Sequence, residues 1–160
     1  MHNREVNRQL QKLKNEWNLI SQKCDGDMEL EAHWARYMCI RCAGFFEIAI
    51  REILGQYIDD TSSSASASYG KQALKRNQNP NSEQIIQTLG IFNPAWRKSL
   101  EADSCWLDGG KEAFDSVMSV RNALAHGGSA GITLGALTAY RDSAIKVLEY
   151  IEKLCQNNPK

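Results

Sequence analysis

Between residues 4 and 23 apolar side chains return every three or four positions, at Val6, Leu10, Leu13, Trp17 and Ile20, which is the period of an amphipathic helix. A longer segment, from about residue 28 to 58, sets Ala35, Met38, Cys39, Cys42, Phe45, Phe46, Ala49, Ile50, Ile53 and Tyr57 on one broad face. Plotted at about 100° per residue, its apolar arc widens through Ala43, Leu54 and Ile40, more than one packed neighbour needs. The arc predicts two neighbours and leaves room for one to come from another subunit. A third strong pattern begins with the polar start LDGGKE, continues through Phe114, Val117, Val120 and Leu124 on one face, and stops at Gly127 and Gly128. A fourth opens near Thr133 and runs to about Gln156, with Leu137, Tyr140, Ala144, Leu148, Ile151 and Cys155 as its inward stripe.

The stretches between these patterns are weaker. TSSSASASYG, residues 61–70, is a low-complexity Ser/Ala run, and KQALKRNQNPN follows it; together they predict a flexible insertion over 61–80, with Lys71, Lys75 and Arg76 solvated. NSEQIIQTLGIF predicts a short helix started by Asn81 or Ser82. NPAWRKSL predicts another, with Asn93 as cap and Pro94 in the first helical position. No segment alternates in the manner of a strand. The fold class is therefore all-α: a bundle of four main helices plus short connecting helices, in one domain over residues 1–160 whose first segment, 1–24, is the N-terminal helix.

Charge and cysteine content narrow the function. Lysine plus arginine and aspartate plus glutamate both number 19, so the chain lacks the basic surplus of a duplex-wrapping protein, and any nucleic-acid contact must be local. The first twenty residues have no apolar signal core, and no run approaches the roughly 18 apolar residues that span a bilayer. The expected location is the cytoplasm, with no membrane partner. Five cysteines, an odd number, suit a reducing compartment. Cys39 and Cys42 form a C-x-x-C, but inside a helical pattern and without a second ligand pair, so the reading is core packing, with no metal and no cofactor.

The chemistry concentrates in RNALAHGG, residues 121–128. One account is helix capping: cations near a C-terminus interact well with the exposed carbonyls, and glycine is the usual residue past the end. Arg121, however, falls about 40° from Val117, within the apolar face. An arginine there must be paired, snorkel or line a cleft, and it calls for an anionic partner. Asn122 and His126, four apart, share an edge of the helix, whereas Arg121 and His126 diverge by about 140°. Their convergence requires the arginine to curl round, the helix to loosen before Gly127, or a second copy to supply half of the site.

An arginine, a polar residue, three more positions and a histidine on a late helix of an α-helical bundle is similar to the R-x4-6-H motif of the HEPN superfamily. The segments HWARYMCIRCAGFFEIAIREIL and TAYRDSAIKVLEYIEKL also resemble that superfamily, nearest to its RiboL-PSP-HEPN branch. The resemblance covers most of the chain from about Glu29. It implies a metal-independent endoribonuclease, homodimeric with the two motifs facing each other, of the kind that acts in toxin–antitoxin or antiviral defence systems, with RNA and a cognate antitoxin or regulatory protein as partners.

These residue types fit that chemistry. RNA self-cleavage needs the 2′-OH deprotonated, the 5′-oxygen protonated and the phosphorane charge stabilised, and side chains can do all three. His126 is the candidate acid or base, Arg121 the phosphate clamp, and Asn122 a positioning group for phosphate or histidine. Glu47, at the edge of the wide arc, has two readings: orienting Arg121 or His126, or an ordinary helical pair with Arg51. Arg51, Arg36 and His33 are candidate RNA contacts on the same helix. The competing functional reading is a non-catalytic dimerisation or binding module that engages a partner such as a nucleotidyltransferase-type antitoxin.

Overall fold

In the computed structural model, residues 1–24, 26–75, 79–128 and 131–157 are described. Seven helices make up the fold among them: α1 (Arg4–Cys24), α2 (Met28–Thr61), α3 (Ser64–Leu74), α4 (Ser82–Phe92), α5 (Pro94–Ala102), α6 (Lys111–Ala125) and α7 (Leu134–Gln156). The described residues contain no strand, and the all-α expectation holds.

The 34-residue α2 is the central rod, packed against α1, α3, α6 and α7. This accounts for its wide apolar arc inside a single chain. Ala43 and Leu54 are buried as expected, while Ile40 stays 51% exposed. Phe46 and Phe114 meet at 4.9 Å between ring centroids, the aromatic contact between α2 and α6, and burying each such side chain contributes about 1.5–3 kcal/mol. On the opposite flank the Arg141 guanidinium of α7 sits 4.4 Å above the Trp17 ring of α1, a cation–π contact that also satisfies a largely covered charge.

The start of the chain is pinned rather than frayed. Glu152, buried near the end of α7, accepts hydrogen bonds from the backbone N–H of His2 at 2.8 Å and of Asn3 at 2.7 Å. Asn3 caps α1 by accepting from the Val6 N–H, and its amide donates to Glu52 and Gln56 of α2. His2 therefore has a structural place that its position in the sequence did not show.

The flexible insertion expected over 61–80 is, over Ser64–Leu74, a helix. Alanine is the best helix former and serine is tolerated; Ala67 and Leu74 are buried, and Lys71 pairs with Asp59 of α2 at 2.7 Å. Arg76 lies outside the described residues. The short helices begin as read: Asn81 forms a reciprocal capping box with Gln84, and Asn93 caps a helix with Pro94 in its first turn.

The LDGG segment departs from the expected start at Asp108. Trp106–Gly110 forms a wide π-type turn, non-helical at Asp108 and Gly109, and the Lys111 N–H bonds back to the Trp106 carbonyl. Gly109 has φ +100°, and a Cβ on Gly110 would lie 2.1 Å from the Cys105 carbonyl oxygen. No other residue fits at Gly110 without moving backbone.

Candidate active site

The motif helix α6 is held by four buried residues, Ala113, Phe114, Val117 and Met118. The Cys39 thiol of α2 donates to the Val117 carbonyl at 3.5 Å, and Phe46 meets Phe114 with the rings tilted, so α6 runs antiparallel to α2. Its last turn therefore points toward the first turns of α2, where half-buried Arg36 and exposed His33 stand.

Arg121 continues the buried face one turn beyond Val117, at the point where the cover from α2 gives out, and it is half-buried. Its Nη1 donates to the Asn122 Oδ1 at 3.1 Å. Among the described residues no carboxylate pairs with it, and none of them supplies the anionic partner that its position calls for. Most of the five guanidinium donors remain for something else.

His126 closes the helix. Its backbone (φ −95°, ψ 15°) has left the helical region, and Gly127 follows at φ +73°. The Gly127 N–H bonds to the Leu124 carbonyl at 3.2 Å and the Gly128 N–H to the Ala123 carbonyl at 2.9 Å, the two hydrogen bonds of a Schellman cap. A Cβ on Gly128 would come within 3.0 Å of the Ala123 oxygen. The double glycine thus has a backbone reason, and its effect is to hold the His126 side chain exposed at the helix end. Within one chain Arg121 and His126 remain on diverging sides, about 140° apart at ideal helical pitch. Asn122 and His126 share the other edge.

Glu47 is not brought to this motif inside one chain. It pairs with Arg51 at 3.8 Å, the i,i+4 alternative, and both border a small cavity with Leu74 and Pro80. Standing level with Phe114, Glu47 is separated from His126 by about 18 Å of helix rise, twelve residues at roughly 1.5 Å each. Arg51 shares that location, while Arg36 and His33 lie at the motif end of α2.

Cys39 and Cys42 are both fully buried in the core. Burial pushes the Cys39 thiol up to about 11 and raises Cys42 further, with the neighbouring Cys39 adding to the effect; both are packing thiols, not thiolates. Among the described residues no cluster of three or more His, Cys, Asp or Glu side chains could hold a metal ion, and no helix is long and apolar enough to cross a membrane.

A feature that the motif did not signal lies beside it. A cavity of about 510 Å³ opens between the outer side of α6 and the start of α7, lined by Asp115, Ser116, Ser119, Val120, Ile132, Thr133 and Tyr140 among others. The sequence does carry a trace of the connection: Asp115, Ser119, Asn122 and His126 recur at spacings of four, three and four, one stripe of the helix within about 60°.

A family model described as RiboL-PSP-HEPN matches residues 2–157, nearly the whole chain. No curated protein and no solved structure matches.

Proposed function

The chain belongs to the RiboL-PSP-HEPN family, and from that premise we propose that it is a metal-independent endoribonuclease, working as a homodimer in a toxin–antitoxin or antiviral-defence setting. The observation that carries the reading is Arg121: a half-buried residue on the packed face of α6, its guanidinium tied in an exposed bond to the neutral Asn122 and to no carboxylate among the described residues. A charge placed so has a fork matched to phosphate oxygens. His126, exposed at the capped helix end one turn past Asn122, supplies the proton-transfer group.

In this reading two copies bring their α6 ends together, which resolves the divergence of Arg121 and His126. One His126 takes the proton of the 2′-OH as that oxygen attacks phosphorus; the P–O5′ bond breaks, and the other copy's His126 protonates the departing 5′-oxygen. Arg121 and Asn122 hold the non-bridging oxygens as charge develops. The products are a 2′,3′-cyclic phosphate and a 5′-hydroxyl, and DNA, lacking the 2′-OH, survives. Tyr37 and Ile40, 45% and 51% exposed on the motif-end half of α2, offer apolar surface for the second copy.

The test is cleavage of mixed-sequence single-stranded RNA in EDTA by the wild type and by His126→Ala, with product ends analysed and mass measured by light scattering. The expected result is cyclic-phosphate ends from a wild-type dimer and loss of cutting in a dimeric, folded variant. Equal cutting by His126→Ala overturns the reading. A dimer that binds a partner protein and cuts no RNA would favour the second function, a non-catalytic module.

A further inference from the structure

We propose that the cavity between α6 and the start of α7 is a nucleobase pocket that sets where the RNA is cut, and that it takes a base bearing an exocyclic amino group. The inference rests on the nuclease reading above and adds to it a specificity-determining subsite. Three observations support it. The first is continuity: Ser119, on the cavity wall, lies one turn before Asn122 on the same stripe of α6 as His126, so a base seated there belongs to a nucleotide flanking the scissile phosphate.

The second is composition. The cavity, about 510 Å³, lies within the range of small-ligand sites. Tyr140 is half-buried and packed against the core, so its ring is held in place before any ligand arrives, and aromatic rings of this kind are the common platform for unstacked bases. Val120 and buried Ile132 add apolar wall, the hydroxyls of Ser116 and Ser119 add adaptable polar groups, and the Thr133 hydroxyl, held as the cap of α7, adds a fixed one.

The third is charge. Among the described residues that line the cavity, Asp115 alone is charged. Its Oδ1 accepts from the Ser82 N–H at 2.9 Å and its Oδ2 from the Ser82 hydroxyl at 2.7 Å, which fixes the carboxylate at the first turn of α4. A fixed anion repels an RNA phosphate, so the cavity takes the uncharged part of the nucleotide. Each carboxylate oxygen keeps a further acceptor site, and an acceptor without a proton to give prefers an exocyclic amino group, that of cytosine, adenine or guanine. Uracil has no amino group, and its one free ring N–H lies between two carbonyl oxygens that the carboxylate repels.

The experiment uses the full chain with uncleavable 2′-O-methyl oligonucleotides of A, C or U, followed by mapping of cut sites on natural RNA. Wild type, Tyr140→Ala, Ser119→Val and Asp115→Asn are compared after circular dichroism and thermal melting confirm folding. The wild type is expected to bind oligo(A) or oligo(C) more tightly than oligo(U). Tyr140→Ala should weaken that binding by roughly 5- to 100-fold, the range of a lost base stack, and Asp115→Asn should erase the discrimination against U. Folded variants with wild-type binding and an unchanged cut map overturn the pocket and leave the nuclease reading standing. Binding through Tyr140 by a protein that cuts no RNA does the reverse. A wild type that neither binds nor cuts removes both.

Discussion

The Arg121 guanidinium is held by Asn122, Nη1 to Oδ1 at 3.1 Å, between two residues adjacent in the chain whose backbone directions differ by about 100° around α6. The bond bends the arginine from the packed face toward the edge that carries His126, and it does so without neutralising the charge. The phosphate clamp and the histidine edge are thereby linked through one neutral amide.

Replacing Arg121 by lysine keeps a charge and loses both the fork and the bond geometry. Arg121→Lys should lower kcat/KM on single-stranded RNA by at least about tenfold, a loss of roughly 1.4 kcal/mol of transition-state binding. Because the side chain is half-buried, the melting temperature should move little. A folded Arg121→Lys enzyme with wild-type kinetics would show that the guanidinium shape is not used.

Gly127 lies at φ +73°, where a Cβ clashes with its own backbone. Gly127→Ala should destabilise the fold by about 1–2 kcal/mol and reduce cleavage by more than that loss of folded protein explains, since the same cap sets the direction of His126. Gly127→Asn, a residue that tolerates this region, should recover most of both. Denaturant midpoints measured alongside initial rates separate the two effects.

Glu47 pairs with Arg51 and stands far along α2 from the motif. Glu47→Gln is expected to leave the cleavage rate within about twofold, as for a half-buried i,i+4 pair at 3.8 Å that stands away from the motif. A drop of a hundredfold or more, with the dimer intact, would instead bring Glu47 to the site across the subunit boundary.

The buried thiols make stability fall at alkaline pH. Burial raises Cys39 to about 11 and Cys155 to about 12 from the ordinary value of 9.0, and Cys42 moves in the same direction. Below 9.0 both folded and unfolded chains keep these protons, and the contribution is fully present. Above it the unfolded chain releases them first, so stability declines with rising pH until the folded thiols ionise too. Melting temperatures should hold from pH 7 to pH 8 and drop from about pH 9 upward, and a Cys39→Ala, Cys42→Ala double variant should show a shallower decline. Parallel declines in the two proteins would assign the effect to other groups.

The main helices and their caps were legible because long apolar periodicities and residues such as Asn81, Asn93 and Thr133 act locally. α3 was not: its serines and alanines carry almost no hydrophobic period, and the helix is held by two buried contacts, Ala67 and Leu74, with α2 supplying the partners. The Gly109–Gly110 turn resembles a helix start in the sequence, because a positive φ and a close approach to Cys105 are tertiary facts. At the motif, the placement of Arg121 on the packed face and the glycine stop could be read from spacing. The cavity beside it could not, since Thr133 and Tyr140 reach it from a different helix and Asp115 is fixed there by Ser82.

The turn at Trp106–Gly110 acts as a phase adjuster for everything downstream. A helix entered through a turn closed over five residues instead of four is rotated by one residue's angle, about 100°, and that rotation faces Phe114 and Val117 toward α2 while carrying Arg121 to the edge of cover. Deleting a single residue from the Asp108–Gly110 stretch would offer the chain two incompatible alignments, one that seats the aromatic core and one that keeps the approach from α5. The orientation of the motif is therefore set a full helix length upstream of it, so a length change in that turn should alter the motif without touching any of its residues.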